Sequence, residues 1–287
     1  MNVTTNFTKD FEDEHIPGAT LFNIDAAYYP SQYIRFDLYP PEEFQKYVRL
    51  LGVNAGDHVV VYGRGGFAGM LWAARVWWTF KVYGHENVSV LEGGLAAWKN
   101  ASKPVTDEVH TVSPGNWEAK ELDKSLLITY EELDEKRPGK KSLFEDLSKI
   151  NYLDARPAPL FNGDVPLDIP AEGATGNHLK GAKNVPLSAV VGESGIKSKE
   201  DIEKALKNAE FDSSLPTVVA CNGGVQASLL SLVLKRVGRK SRVYNGSMYE
   251  IALRAPQMIS EKKDSPRKSG WIHSICPICL VLISLCL

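Results

Sequence analysis

The chain has 287 residues, of which 44% are hydrophobic and 24% are charged, a composition typical of a soluble globular protein with about two domains. Its net charge of −2 and isoelectric point near 6.3 do not suggest a basic surface, so we expect no nucleic-acid partner. Four cysteines, three of them crowded near the C-terminus, do not form a disulfide framework, which favours a reducing compartment. The first residues lack the apolar core of a secretory signal. We therefore expect a cytoplasmic protein, with the mitochondrion as the alternative.

Three short segments of the first half recur in the second half in the same order. Residues 15–19 recur as 178–182, residues 59–66 recur as 217–224, and residues 88–94 recur as 241–247. In each copy, strand-like apolar runs alternate with helical stretches, as βαβ crossovers and a mostly parallel sheet require. We therefore predict a duplicated α/β unit, with helices flanking each sheet.

A polar segment separates the two copies. Residues 101–124 contain Pro104 and the pair Pro114-Gly115, which is typical of an interdomain linker. We predict a first domain at residues 1–100, a linker at 101–124, a second domain at 125–258 and a C-terminal tail at 259–287.

Cys221 has the setting of a reactive residue. It follows a buried-strand pattern and precedes an apolar helical stretch, where free backbone N–H groups and the positive end of a helix dipole favour the nucleophilic thiolate. The loop predicted to curl around the sulfur consists of Asn222, Gly223, Gly224, Val225 and Gln226. Most buried cysteines are simple core residues, but this strand–loop–helix setting favours a reactive thiol.

The first copy lacks this nucleophile. Gly63 occupies the position there that Cys221 holds in the second copy. Only the second copy is therefore expected to perform thiol chemistry, with the first copy as a scaffold that forms one wall of the cleft.

Several motifs together resemble the rhodanese and 3-mercaptopyruvate sulfurtransferase family. They are the tandem copies, the turn at 15–19, the stretches at 75–78 and 90–94, the sequence Asp154-Ala155-Arg156 and the cysteine loop. The resemblance implies an α/β protein of two tandem rhodanese-like domains. It also implies transfer of a sulfane sulfur from thiosulfate or 3-mercaptopyruvate to cyanide or a thiol, through a Cys221 persulfide. It implies no cofactor and no metal, and a thioredoxin-like protein is one candidate for the thiol acceptor.

The chain departs from the family pattern where an anionic donor would bind. The third loop position is serine in mercaptopyruvate-using members and lysine in thiosulfate-using members, but here it is Gly223. Two substrate-binding arginines of the family would fall at Leu160 and within residues 168–170, and both are absent. Each lost charge-assisted hydrogen bond is worth about 1.5–3 kcal/mol, so we expect weak activity on anionic donors.

Two other residues match family positions. Asp25 corresponds to an aspartate that faces the cysteine from the first domain, where it would polarise a proton relay or only cap a turn. Arg156 is expected to fix the loop rather than to bind substrate. Lys180 and Lys183 are the remaining cations near the turn of the second copy, and both are expected to be solvated.

The first copy begins too late to contain its first core strand. Asp154 lies 24 residues before His178, whereas only 14 residues precede His15. By resemblance the missing strand lies inside the sheet, so its neighbours would be left unpaired. Either another segment fills the gap or the chain is an incomplete version of its family.

The C-terminal residues 271–287 carry no formal charge and follow a basic cluster. A membrane anchor through these residues is one interpretation, although the run is short and contains Pro277. We favour an appended chain end that is disordered or loosely collapsed. The Cys276-Pro277-Ile278-Cys279 sequence has the spacing of a dithiol, but it lacks the strand and helix of a redox motif. A zinc site there, with His273, would be one ligand short.

Two other functions compete with sulfur transfer. A phosphatase of related fold needs an arginine six residues after the cysteine, and Ala227 occupies that position, which excludes it. A catalytically weakened binding protein or persulfide carrier is favoured by the missing arginines and opposed by the retained cysteine loop. We predict a sulfurtransferase, with the weakened carrier as the alternative.

Overall fold

The computed structural model describes residues 7–261 and 281–286, and both predicted α/β repeats are present. The first repeat contains α1 (Phe7–Asp13), β1 (Ala19–Phe22), α2 (Ile24–Ala27), α3 (Pro41–Leu50), β2 (His58–Gly63), α4 (Met70–Val82), β3 (Val88–Val90) and α5 (Gly94–Asn100).

The second repeat begins with β4 (Leu127–Ile128), α6 (Tyr130–Leu133), a 3-10 turn (Leu147–Lys149), β5 (Asn151–Asp154), α7 (Ala158–Asn162), β6 (His178–Leu179), β7 (Lys183–Asn184) and α8 (Leu187–Val190). It continues with α9 (Lys199–Asn208), β8 (Thr217–Ala220), α10 (Val225–Arg236), β9 (Arg242–Tyr244), α11 (Ser247–Arg254), a 3-10 turn (Pro256–Met258) and β10 (Ile259–Glu261). The last element, β11 (Val281–Cys286), lies in the C-terminal segment.

The sheet of the second repeat is entirely parallel. Its five strands have the order β4-β9-β8-β5-β7. All four residues of β8 are buried, as expected for a central strand covered by helices on both faces. The predicted mostly parallel sheet is therefore confirmed for this repeat, and β8 ends directly at Cys221.

The gap in the sheet of the first repeat is filled from the C-terminal segment. The strand order is β1-β11-β2-β3, and β11 runs antiparallel to both of its neighbours, with Ile283 opposite Thr20 on one side and Val61 on the other. In the second repeat the equivalent place, between β7 and β8, belongs to β5. Within the described residues, β11 therefore occupies the place of the core strand that was predicted to be missing from the first repeat.

The structure of residues 281–286 corrects the expectation of a disordered or loosely collapsed tail. Two strands with unpaired N–H and C=O groups form a template for an apolar segment of high β-propensity, which explains the pairing. The Cys276-to-Cys279 sequence, His273 and the first part of the proposed anchor lie outside the described residues. Within the described ranges, no helix has the length and apolar character needed to cross a membrane.

The two repeats share a hydrophobic core. Helix α4 packs against α10, and all 13 residues of α4 are buried because it lies between its own sheet and the second repeat. Val61 and Trp72 of the first repeat belong to the same buried cluster as Val219 and Leu230 of the second. The first repeat therefore forms a wall against the cysteine loop, as predicted.

The predicted linker lies along the first repeat. The Gly115 amide donates to the Arg49 carbonyl at 2.8 Å, and the Trp117 side chain is buried in the core of that repeat. The Trp117 indole N–H contacts His85 Nδ1 at 3.0 Å. Gly115 and Trp117 thus pack as part of the first repeat.

Candidate active site

Cys221 lies at the junction of β8 and α10, and only 2% of it is exposed. The Gly224 amide donates a hydrogen bond to Cys221 Sγ at 3.1 Å. The backbone of Cys221 is fixed by the start of α11, because its N–H donates to Ser247 Oγ at 3.1 Å and its carbonyl accepts from Met248 N at 3.0 Å. The predicted setting of a sulfur held by a loop amide at a helix start is present.

The two glycines of the loop have different roles. Gly224 is the residue before α10 and has a φ of +83°, and a Cβ there would lie 2.6 Å from Asn245 Oδ1 and 2.9 Å from Arg75 Nη1. Only glycine fits this position. Gly223 has no such restriction, since the nearest atom to an added Cβ is Phe36 Cδ2 at 3.9 Å. Gly223 is therefore open to substitution.

The remaining loop residues flank the sulfur. Asn222 is fixed on both sides: its Nδ2 donates to Asp168 Oδ1 at 2.7 Å, and its carbonyl accepts from Tyr249 N at 2.9 Å. Val225 and Gln226 form the first turn of α10 and are half-buried. Within the described residues, the N–H groups of Asn222 and Gly223 have no hydrogen-bond partner. They are available to an additional sulfur atom or an anion.

Arg156 forms a buried ion pair with Asp154. Its Nη2 lies 2.7 Å from Asp154 Oδ2, and neither side chain is more than 1% exposed. The same Nη2 donates to the Asn177 carbonyl at 2.8 Å, which ties the pair to the loop before β6. Burial alone would lower the pKa of Arg156, but the Asp154 carboxylate outweighs it and the net pKa is raised. This geometry agrees with the expectation that Arg156 fixes the loop.

Asp25 makes no described hydrogen bond or ion pair with the cysteine loop. It lies exposed in the first turn of α2, where its N–H donates to the Asn23 cap at 2.9 Å. None of the described hydrogen bonds or ion pairs joins its carboxylate to the cysteine loop. Its predicted role in a proton relay is not supported by a contact, and the capping alternative belongs to Asn23 instead.

The leucine and the two lysines named by the sequence analysis have different environments, and Lys183 is hydrogen-bonded rather than freely solvated. Leu160 is buried in α7. Lys183 donates to Asn151 Oδ1 at 2.9 Å and to the Glu210 carbonyl at 2.6 Å. Lys180 is exposed, as expected. In the stretch where the second arginine was expected, Asp168 places a carboxylate beside Asn222 instead of a cation.

The residue that sequence reasoning missed is Arg75. It lies on α4 and has no exposed surface, and its Nη2 donates to the Phe36 carbonyl at 2.8 Å. Burial lowers the pKa of Arg75, while Tyr28 and Cys221 oppose that effect. The sequence signal is an arginine in the middle of a mostly apolar helix.

One cavity of the described chain lies in the first repeat, and Cys221 is not among the residues that line it. It has a volume of about 600 Å³ and is lined by Gly63 to Gly69, together with Glu14 and Lys99. This is the loop of the first repeat, where Gly63 stands in place of the cysteine. No cysteine lines this cavity.

The two loops are not aligned as the sequence match predicted. Gly66 was placed opposite Gly224, but Gly69, with φ +69°, has the position before α4. The first loop is three residues longer, because α4 starts seven residues after Gly63 whereas α10 starts four residues after Cys221.

Comparison with known proteins confirms the predicted family. The rhodanese-like domain family matches residues 5–101 and 132–253. A putative thiosulfate sulfurtransferase of Caenorhabditis elegans is 39% identical over 252 residues, which cover 86% of this chain and 77% of that protein. The thiosulfate sulfurtransferase of Gallus gallus is 38% identical over 250 residues, covering 86% of this chain and 82% of that protein.

A solved structure extends the match to the fold. The crystal structure of SseA, a 3-mercaptopyruvate sulfotransferase of Escherichia coli, superposes with a TM-score of 0.73 at 27% identity and covers 86% of this chain and 87% of that one. Both matched segments fall on the two α/β repeats described above. The chain therefore belongs to the rhodanese-like family of sulfurtransferases, with one such domain in each repeat.

Proposed function

We propose that this chain moves a sulfane sulfur from thiosulfate or 3-mercaptopyruvate to cyanide or a thiol, through a persulfide on Cys221. The observation that carries the proposal is the hydrogen bond from the Gly224 amide to Cys221 Sγ, at the start of α10. An N–H donor at this position stabilises a sulfur anion, which is the form that attacks the donor and the form in which the persulfide is held.

The reaction consists of two displacements at sulfur. Cys221 Sγ attacks the outer sulfur of thiosulfate, the S–S bond of the donor breaks, and sulfite leaves with the electron pair. With 3-mercaptopyruvate, the C–S bond breaks and the departing carbon takes up a proton to give pyruvate. Cyanide or a thiolate then attacks the outer sulfur of the persulfide, and the Cys221 thiolate is regenerated. The N–H groups of Asn222 and Gly223 are placed to hold the outer sulfur between these steps.

Turnover of small anionic donors is expected to be weak. The cation positions of the family are held by Leu160 and Gly223, and Asp168 adds a carboxylate 2.7 Å from Asn222 Nδ2. A carboxylate beside the loop repels sulfite and carboxylate groups of the donor. This observation also favours the alternative function, a persulfide carrier that accepts sulfur from a neutral or protein-bound persulfide, with a thioredoxin-like protein as one candidate acceptor.

Parallel assays test the proposal. Purified protein is incubated with thiosulfate and cyanide, or with 3-mercaptopyruvate and a dithiol, and product formation is followed together with the mass of the Cys221 peptide. We expect a mass increase of one sulfur atom at Cys221 and turnover that is lost in Cys221→Ser but kept in Cys276→Ser. Sulfur transfer that survives in Cys221→Ser would contradict the assignment. Persulfide without turnover of either donor supports the carrier.

A further inference from the structure

We propose that Arg75, contributed by the first domain, is the positioning residue whose positive charge holds the Cys221 sulfur as an anion. It would thereby replace, from across the domain boundary, part of the cationic environment that the second domain lacks. The inference rests on the proposed role of Cys221 as the sulfur carrier.

The Arg75 guanidinium and the Cys221 sulfur both lie next to Gly224. Arg75 Nη1 lies 2.9 Å from the position that a Cβ of Gly224 would occupy, and the Gly224 amide is the group that donates to Cys221 Sγ at 3.1 Å. The Phe36 carbonyl accepts from Arg75 Nη2 at 2.8 Å and from Asn245 Nδ2 at 3.1 Å. Arg75 is thus clamped against the cysteine loop by the first domain and by the residue that follows β9.

Two nitrogen atoms of the Arg75 guanidinium are not used in described hydrogen bonds. Within the described residues, the Nε and Nη1 atoms of Arg75 are buried and have no hydrogen-bond partner. None of the described ion pairs involves Arg75, in contrast to Arg156, whose charge is matched by Asp154. An arginine does not lose its proton in a protein, so an additional anion that forms nearby is stabilised by this buried charge. The groups that interact electrostatically with it are Tyr28, Asp37 and Cys221.

Packing alone accounts for only part of these contacts. The guanidinium carbon lies 4.6 Å from the Trp78 ring centroid and 4.9 Å from that of Tyr28, so cation–π contacts hold its faces. Those contacts leave the in-plane donors Nε and Nη1 free, and Nη1 is the atom next to Gly224. If Arg75 only supports the packing, its charge has no effect on the reactivity of Cys221. If its charge stabilises the sulfur anion, removing the charge lowers that reactivity, so experiment can separate the two roles.

The first test measures thiol reactivity without a sulfur donor. Cys221 alkylation by iodoacetamide at pH 7 is followed by peptide mass spectrometry in wild type, Arg75→Met and Arg75→Lys. We expect the methionine variant to react about tenfold more slowly, because the nucleophilic sulfur anion loses its neighbouring positive charge, and the lysine variant to recover most of the rate. Arg242→Met, which removes an arginine paired with Glu132 in the second domain, should react like wild type. Equal rates in wild type and a folded Arg75→Met would overturn the proposal.

A second test uses the charge of the alkylating reagent instead of a variant of Arg75. It therefore applies even if Arg75→Met does not fold. The ratio of the iodoacetate rate to the iodoacetamide rate is measured at Cys221 and on N-acetylcysteine amide, a neutral thiol. A cation at the sulfur raises the ratio for the anionic reagent, and we expect it to be several-fold higher at Cys221, more so in Asp168→Asn. A ratio at or below that of the free thiol contradicts the proposal. Since neither test uses a sulfur donor, failure of sulfur transfer is distinguishable from failure of this inference.

Discussion

Gly223 is the position at which donor specificity can be changed with least disturbance. The nearest atom to an added Cβ is Phe36 Cδ2 at 3.9 Å, an ordinary contact, and the φ of Gly223 lies outside the left-handed region. A larger side chain is therefore accommodated without backbone strain. We predict that Gly223→Lys favours thiosulfate and Gly223→Ser favours 3-mercaptopyruvate, since family members that use these donors carry those residues.

The size of each effect follows from the bond that is added. A hydrogen bond from the lysine ammonium to thiosulfate is worth about 1.5–3 kcal/mol, which lowers KM about 10- to 100-fold. The Asp168 carboxylate, 2.7 Å from Asn222 Nδ2, competes for the ammonium, so we expect the lower end of that range. A neutral serine hydroxyl contributes about 0.5–1.5 kcal/mol, or roughly a two- to tenfold lower KM for 3-mercaptopyruvate.

Steady-state kcat and KM for both donors test this reasoning. The matched control is Gly66→Lys, which adds the same charge to the loop of the first repeat, where nothing lies within 4 Å of an added Cβ. We expect the control to leave both KM values unchanged. The reasoning is refuted if the two lysine variants have the same KM for thiosulfate, or if both Gly223 variants change the two donors in parallel.

Three further outcomes are expected. Asp168→Asn should lower the KM for thiosulfate a few-fold with little change in kcat, because it removes a repulsive carboxylate and keeps a hydrogen-bonding partner for Asn222. Deletion of residues 262–287 should lower the unfolding midpoint by about 10 °C or more, since β11 pairs with four residues of β1 and six of β2 and each lost ladder hydrogen bond costs about 1 kcal/mol. Burial lowers the pKa of His178, so the folded state binds fewer protons there than the unfolded state, and stability should fall as pH drops below the ordinary value of 6.5.

Each of these outcomes has its own control. Kinetics with a neutral persulfide donor should not respond to Asp168→Asn, and an equal gain with that donor would show that charge is not the cause. Ile283→Pro should reproduce the deletion and Ser269→Pro should not; a deletion variant with an unchanged midpoint would disprove the contribution of β11. His178→Gln should flatten the loss of stability between pH 7 and pH 5, measured by urea unfolding, and an unchanged slope would disprove the role of His178.

Local patterns in the sequence were sufficient to predict the loop at Cys221. The apolar run before it forms β8, the stretch after it forms α10, and Gly224 takes the left-handed conformation between them. The internal repeat predicted both α/β units for the same reason, since strand and helix patterns are set by neighbouring residues. The length of the first loop was not predicted, because pairing Gly66 with Gly224 ignored three additional residues before Gly69.

Contacts between distant segments could not be predicted. Arg75 reaches the cysteine loop only because α4 packs against α10, and the hydrogen bond from Asn222 to Asp168 depends on the path of a long irregular loop. The role of Asp25 is predicted from family resemblance alone, and the local turn that leaves it exposed carries no signal of a contact with the cysteine loop. These contacts join segments that are far apart in the sequence, so they depend on tertiary packing. The residue pattern of a single segment carries no information about them.

The place of β11 in the first sheet reverses the order in which the domains can be completed during synthesis. Every strand of the second sheet emerges from the ribosome before β11 does, so the second domain, with Cys221, can close first. Domains commonly fold from the N-terminus as the chain emerges. Here β1 and β2 must wait as open edges until a strand made after the whole second domain arrives, and during that interval they are exposed to wrong pairing. We therefore expect the nascent first domain to be the part of this chain that is most exposed to wrong strand pairing during synthesis.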